Sequence, residues 1–131
     1  MNRSGENVEP HGYLAAVLSA YLEMPETPSK ATAGDRKTAR GLLEREVPLP
    51  IVQTALVLGS LRRIARPPDY PRLQPIRSLA YFVPVVEELL EAPVSQDYGR
   101  YIRTRLRRLT VETLKRQQAQ TGDGPENYVS S

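Results

Sequence analysis

The chain has 131 residues, enough for one domain with a hydrophobic core of useful size. It has no cysteine, which excludes disulfides and thiolate metal sites, and with no Trp and one Phe its core is expected to be aliphatic. A net charge of +3 and a pI near 9.4 tilt it towards anionic partners.

Residues 1–12 are polar and read as a disordered N-terminus, with no long apolar run behind a basic start. Neither a signal peptide nor a membrane partner is expected, and the cysteine-free composition fits a cytoplasmic protein. The helical domain spans residues 13–120. Its first helix, Tyr13 to Glu23, places Tyr13, Leu14, Val17, Leu18, Tyr21 and Leu22 at amphipathic spacing. "MPETPSKATAG" breaks it with two prolines and a glycine. A second helix, from Thr32 or Asp35 to about Glu46, turns Ala39, Leu42 and Leu43 inward.

"VPLP" ends that helix and opens a third, Pro50 to Arg66, with Pro50 in the first turn. Its apolar residues cover nearly the whole circumference, the mark of a helix buried on most sides. Arg62, Arg63 and Arg66 complement the dipole at its end. "LLEREVPLPIVQTALVLGSLRR" has the outline of a helix-turn-helix, but the would-be reading face is Val52, Leu56, Val57 and Gly59, which offers nothing to base edges. The connector "RPPDYPRLQP" reads either as a polyproline ligand for a partner's aromatic groove or, preferably, as a stiff loop packed on its own domain.

"PIRSLAYFVPVVEELL" carries Pro84 in the middle of an apolar segment. A strand there would have no partner, since nothing else alternates at period two. Leu79, Phe82, Val83, Val86, Leu89 and Leu90 fit one helical face, and Ser78 is a suitable N-cap. The expectation is a helix from Ser78 to about Glu91, kinked at Pro84 and eased if its first turn is 3₁₀.

The fifth helix, about Gln96 to Gln120, has Tyr98, Ile102, Leu106 and Leu109 as its core stripe. Arg100, Arg103 and Arg107 share another face, with Arg105, Arg108, Lys115 and Arg116 on the flanks and only Asp97 and Glu112 against them. Residues 121–131 read as a disordered tail. The fold expected is thus an all-α compact bundle of about five helices, with a Pro-kinked fourth helix and a basic C-terminal helix.

Catalytic and metal chemistry lack their usual parts, so no enzyme, metal or cofactor is expected. His11 is the sole histidine and falls in the polar terminus, while Glu87, Glu88 and Glu91 read as a solvated helix face rather than a cation site. Nucleic-acid binding has better support. Arginine forks onto phosphate oxygens, and Tyr98 and Tyr101 lie beside these arginines, where a tyrosine can stack on an unpaired base. The nucleic-acid-binding residues expected are Arg100, Tyr101, Arg103, Arg105, Arg107, Arg108, Lys115 and Arg116. The competing reading is a solubilising basic helix.

From Leu42 to Glu91, "VPLPIVQTALVLG" followed by a connector and then Ser78, Tyr81 and Phe82 resembles the C-terminal helical domain of DnaD/DnaB-type primosomal and replication-initiation proteins. The family's tyrosine, isoleucine and tryptophan spaced four apart correspond to Tyr81, Val85 and Leu89, so the tryptophan is missing. The resemblance implies a bacterial replication or mobile-element setting, with DNA contacted by Arg100 to Arg108. The function expected is a non-enzymatic replication-accessory protein that binds single-stranded or duplex DNA. The alternative is a helical adaptor whose kinked fourth helix, or the groove beside it, receives a protein partner.

Overall fold

The computed structural model describes residues 9–130, with side chains for 9–116, 118 and 119. In chain order come α1 (Pro10–Glu23), α2 (Ala33–Glu44), α3 (Leu49–Ile64), a 3₁₀ turn (Leu79–Phe82), α4 (Val83–Glu91) and α5 (Gln96–Ser130). No strand occurs among the described residues. The protein is an all-α bundle organised around α3, which packs on α1, α4 and α5, while α2 packs on α1.

α1 starts at Pro10, three residues ahead of the expected Tyr13, because proline is preset for the first helical turn. His11 therefore belongs to a helix and not to a frayed terminus. The rest of the expected disordered N-terminus, residues 1–8, lies outside the described residues. Tyr13, Val17 and Tyr21 follow at i, i+4 and i+8 and are all buried. The Tyr13 hydroxyl donates to the Val47 carbonyl at 2.8 Å, tying α1 to the α2–α3 turn.

The core is not purely aliphatic. Tyr21 and Phe82 are among the largest fully buried side chains and meet edge to face, with ring centroids 6.2 Å apart. Few aromatics are present, but the bundle closes around two of them.

Tyr21 carries a cost. Its buried hydroxyl has no hydrogen-bond partner among the described residues. Burial, helped by the Asp35 carboxylate, pushes the phenol from 10.0 up to about 12. Between those values the unfolded chain loses this proton while the folded chain keeps it, so stability should fall as pH rises through that window and be unaffected below it. The loss should approach roughly 2–3 kcal/mol. Urea titrations at pH 9 to 12 should show a larger loss in the wild type than in Tyr21→Phe, where Tyr13, also raised by burial, still contributes. An equal loss in that variant would contradict the assignment.

α2 opens with a reciprocal cap: Asp35 N–H donates to Thr32 Oγ1 at 3.1 Å, and Thr32 N–H donates to Asp35 Oδ2 at 3.0 Å. It closes in a Schellman turn. Val47 N–H reaches the Leu42 carbonyl and Glu46 N–H reaches that of Leu43, with Leu42 and Val47 both buried. The turn needs a left-handed residue, and Glu46 supplies it at φ 58° where glycine would be unstrained. Glu46→Gly should therefore stabilise the protein by about 0.5–1 kcal/mol, read as a raised urea midpoint.

α3 is buried at Val52 and at every residue from Ala55 to Leu61, as its all-round apolar pattern predicts. Leu49 and Pro50 occupy its first turn. Because Val52, Leu56, Val57 and Gly59 are buried, the would-be reading face of the helix-turn-helix outline is closed by packing.

Pro84 is accommodated by a change of helix type. The chain runs as 3₁₀ from Leu79 to Phe82 and as α from Val83, which leaves Pro84 in the first α turn, where its missing N–H costs nothing. The cap differs from expectation. Ser78 holds the N-cap position but its hydroxyl makes no capping bond. Leu79 N–H donates instead to Asp35 Oδ1 at 2.9 Å, across 44 residues of sequence.

The connector is pinned by hydrogen bonds but not packed along its length as expected: residues 67–75 are all exposed. Ile76 is buried and donates its N–H to the Glu26 carbonyl, and Arg63 and Arg66 bond the carbonyls of Gln74 and Pro71. α5 continues past the expected end near Gln120, to Ser130. The side chains of the expected tail, and Ser131, lie outside the described residues.

Candidate nucleic-acid interface

Ser95 begins α5 by accepting the Tyr98 N–H on its Oγ at 3.1 Å, the N-cap bond that frees the helix from the "EAPVS" loop. The side chains that dock the helix are Ile102, fully buried, Leu106, nearly so, and Leu109, half-buried. Gly99 is the fourth member of this stripe. Tyr98 is not: it stays 43% exposed, contrary to expectation. The buried position falls one residue later, at Gly99, and the tyrosine is displaced to the edge.

That rotation changes the basic face as well. Arg100, Arg105, Arg107, Arg108, Lys115 and Arg116 are exposed, but Arg103 is half-buried beside α3. It lines the grooves on both flanks of the α3–α5 contact, one towards Thr54 and one towards Met24. Replacing Arg103 would therefore disturb packing, unlike its neighbours. At 100° per residue, Arg100, Arg107, Arg108 and Lys115 fall within an arc of about 100° pointing away from Ile102. Tyr101 shares a flank with Arg105 and Arg108, at i+4 and i+7.

Tyr101 is 56% exposed and its ring lies 6.0 Å from that of Tyr98, tilted by 36°. Neither tyrosine is spent on the core. Among the described residues, the basic groups of α5 have one ion pair, Arg100 to Asp97 at 2.6 Å, and Arg105, Arg107 and Arg108 have none. Three guanidiniums on one helix thus keep their full donor sets for an outside anion. Val111 and Leu114 are exposed further along the same helix.

The acidic residues of α4 are engaged elsewhere. Glu87 pairs with Arg45 at 2.8 Å and Glu88 takes a two-pronged bond from Arg62 at 2.9 and 2.6 Å. The hydrogen bond from each arginine holds its carboxyl below the usual range. No cluster of three or more His, Asp or Glu able to hold a metal ion exists among the described residues.

A second concentration of basic and aromatic side chains lies beyond what the sequence pattern predicts. At the end of α3 the Arg63 guanidinium lies over the Tyr81 ring at 5.3 Å and that of Arg66 over Tyr70 at 5.1 Å. The available signal is the spacing Arg63, Arg66, Tyr70, three and four apart, hidden where the helix runs into prolines. No family model matches this chain, and no curated protein or solved structure matches it.

Proposed function

We propose that this protein binds nucleic acid in the phosphate-led manner, through the outward face of α5. The supporting observation is the set Arg105, Arg107 and Arg108, exposed and without carboxylate partners among the described residues, beside the exposed Tyr98–Tyr101 pair. Exposed arginines bring counterion release, and exposed rings bring stacking on unpaired bases, so the combination favours single strands over duplex. Contacts of this kind position a backbone without reading sequence. A non-enzymatic replication-accessory role, in the cytoplasm of a bacterium or on a mobile element, is the setting that the DnaD/DnaB-type resemblance supplies.

No helix among the described residues is long and apolar enough to cross a membrane. The second reading, a helical adaptor, draws on the exposed Val111 and Leu114, which would be an apolar footing for a protein partner. A salt-titrated binding assay with single-stranded and duplex DNA separates the two. The adaptor reading expects no affinity at low salt.

A further inference from the structure

We propose that the cavity under the proline-rich connector binds a nucleoside phosphate, with Arg66 and Arg72 on the phosphate and Tyr70 against the base. The cavity measures about 900 Å³, within the usual range for small-molecule sites and far larger than a phosphate ion requires. Its charged lining is Arg63, Arg66 and Arg72 against Glu26. Glu26 is already paired with Arg63 at 2.6 Å, so Arg66 and Arg72 face the cavity with no carboxylate in ion-pair range among the described residues. Two uncompensated guanidiniums on one concave wall attract an anion that accepts forked hydrogen bonds.

The aromatic wall selects what the anion is attached to. Tyr70 is 55% exposed, with Arg66 over its ring at 5.1 Å. Four prolines in the lining hold the ring's backbone stiffly, so little freedom is lost when a base stacks there. The floor is equally fixed. Glu26 sits at φ 66°, a strained left-handed conformation for a non-glycine residue, and its carbonyl accepts Ile76 N–H at 3.2 Å. Arg63 closes the clip: its side chain is 7% exposed and bonds Glu26, the Gln74 carbonyl and the Tyr81 hydroxyl at 2.6, 2.7 and 3.3 Å. Both ends of the connector are thereby anchored around an open middle.

The proposal uses no residue of α5 and stands apart from the nucleic-acid reading. The test is calorimetric titration of the full chain with adenosine 5′-monophosphate, inorganic phosphate and adenosine. The monophosphate should bind, and each half of it should bind roughly tenfold more weakly or worse. Arg72→Ala should weaken the monophosphate and inorganic phosphate alike, whereas Tyr70→Leu should weaken the monophosphate by roughly tenfold and leave phosphate unchanged. Both residues are exposed, so an unchanged melting temperature checks that neither variant acts by unfolding. The combined Arg100→Ala, Arg107→Ala, Arg108→Ala protein should bind the monophosphate as wild type does.

The ligand's source is read from oligonucleotides with and without a 5′-phosphate. A gain from the phosphate that Arg72→Ala abolishes assigns the cavity to a strand end, and no gain assigns it to a free nucleotide. The proposal is overturned if the monophosphate fails to bind at millimolar concentration. It is also overturned if phosphate binds as tightly as the monophosphate, or if Arg72→Ala binds like wild type.

Discussion

Asp35→Ala should lower stability by about 3–5 kcal/mol, although it removes one small side chain from a polar-looking segment. The carboxylate is completely buried and both of its oxygens are occupied. Oδ2 takes the Thr32 N–H and completes the cap of α2, while Oδ1 takes the Leu79 N–H and starts the 3₁₀ turn. Alanine strands both donors, and the one at Leu79 is buried with no capping bond from Ser78 to replace it. An unmet buried donor costs about 1–3 kcal/mol, and bonds to a charged acceptor lie at the upper end of their range. Asp35→Asn keeps one acceptor oxygen but sets its NH2 against the other donor, so it should cost somewhat less than alanine. Urea denaturation measures both. A loss of about 1 kcal/mol for alanine would reduce Asp35 to an ordinary helix cap.

Phe82→Ala should cost about 3–5 kcal/mol, because the ring fills the space between α1, α3 and α4. Its seat is made by a glycine. A Cβ on Gly59 would stand 2.8 and 2.9 Å from two ring carbons of Phe82, closer than packed carbons sit. Gly59→Ala should consequently destabilise by about 1–3 kcal/mol, against the gain of up to about 1 kcal/mol that helix propensity alone offers. Combining Gly59→Ala with Phe82→Leu should cost less than the two single changes together, since the added methyl enters space the ring has left. Additive losses in that cycle would mean the glycine and the ring do not share a seat.

The helices are legible in the sequence because each writes its inward face at a period of 3.6, and α3 is legible as the central one because its apolar residues leave no polar face. The course of the chain at Pro84 is nearly legible as well, as the position of a proline limits which turn it can occupy. What cannot be read there is anything joining distant segments. Asp35 shows as a cap for its own helix, but its bond to Leu79 depends on how α2 meets the 3₁₀ turn. The α5 stripe reads one residue out of place, since a tyrosine outweighs a glycine in any hydrophobic pattern, whereas Gly99 is the residue that is buried. Arg103 consequently reads as solvated when it is half-buried. The connector cavity needs Glu26 and Arg63, 37 residues apart, to be seen together.

The basic face of α5 is tested most directly by salt-titrated binding of single-stranded DNA to the wild type and to the combined Arg100→Ala, Arg107→Ala, Arg108→Ala protein. Arg103 is left in place to spare the packing. Phosphate-led binding predicts an unchanged melting temperature and weaker binding at every sequence tested. The slope of log affinity against log salt should become shallower by about 0.7 for each phosphate no longer neutralised. Wild-type protein with no affinity for DNA or RNA at low salt, or a triple variant with an unchanged slope, would contradict it.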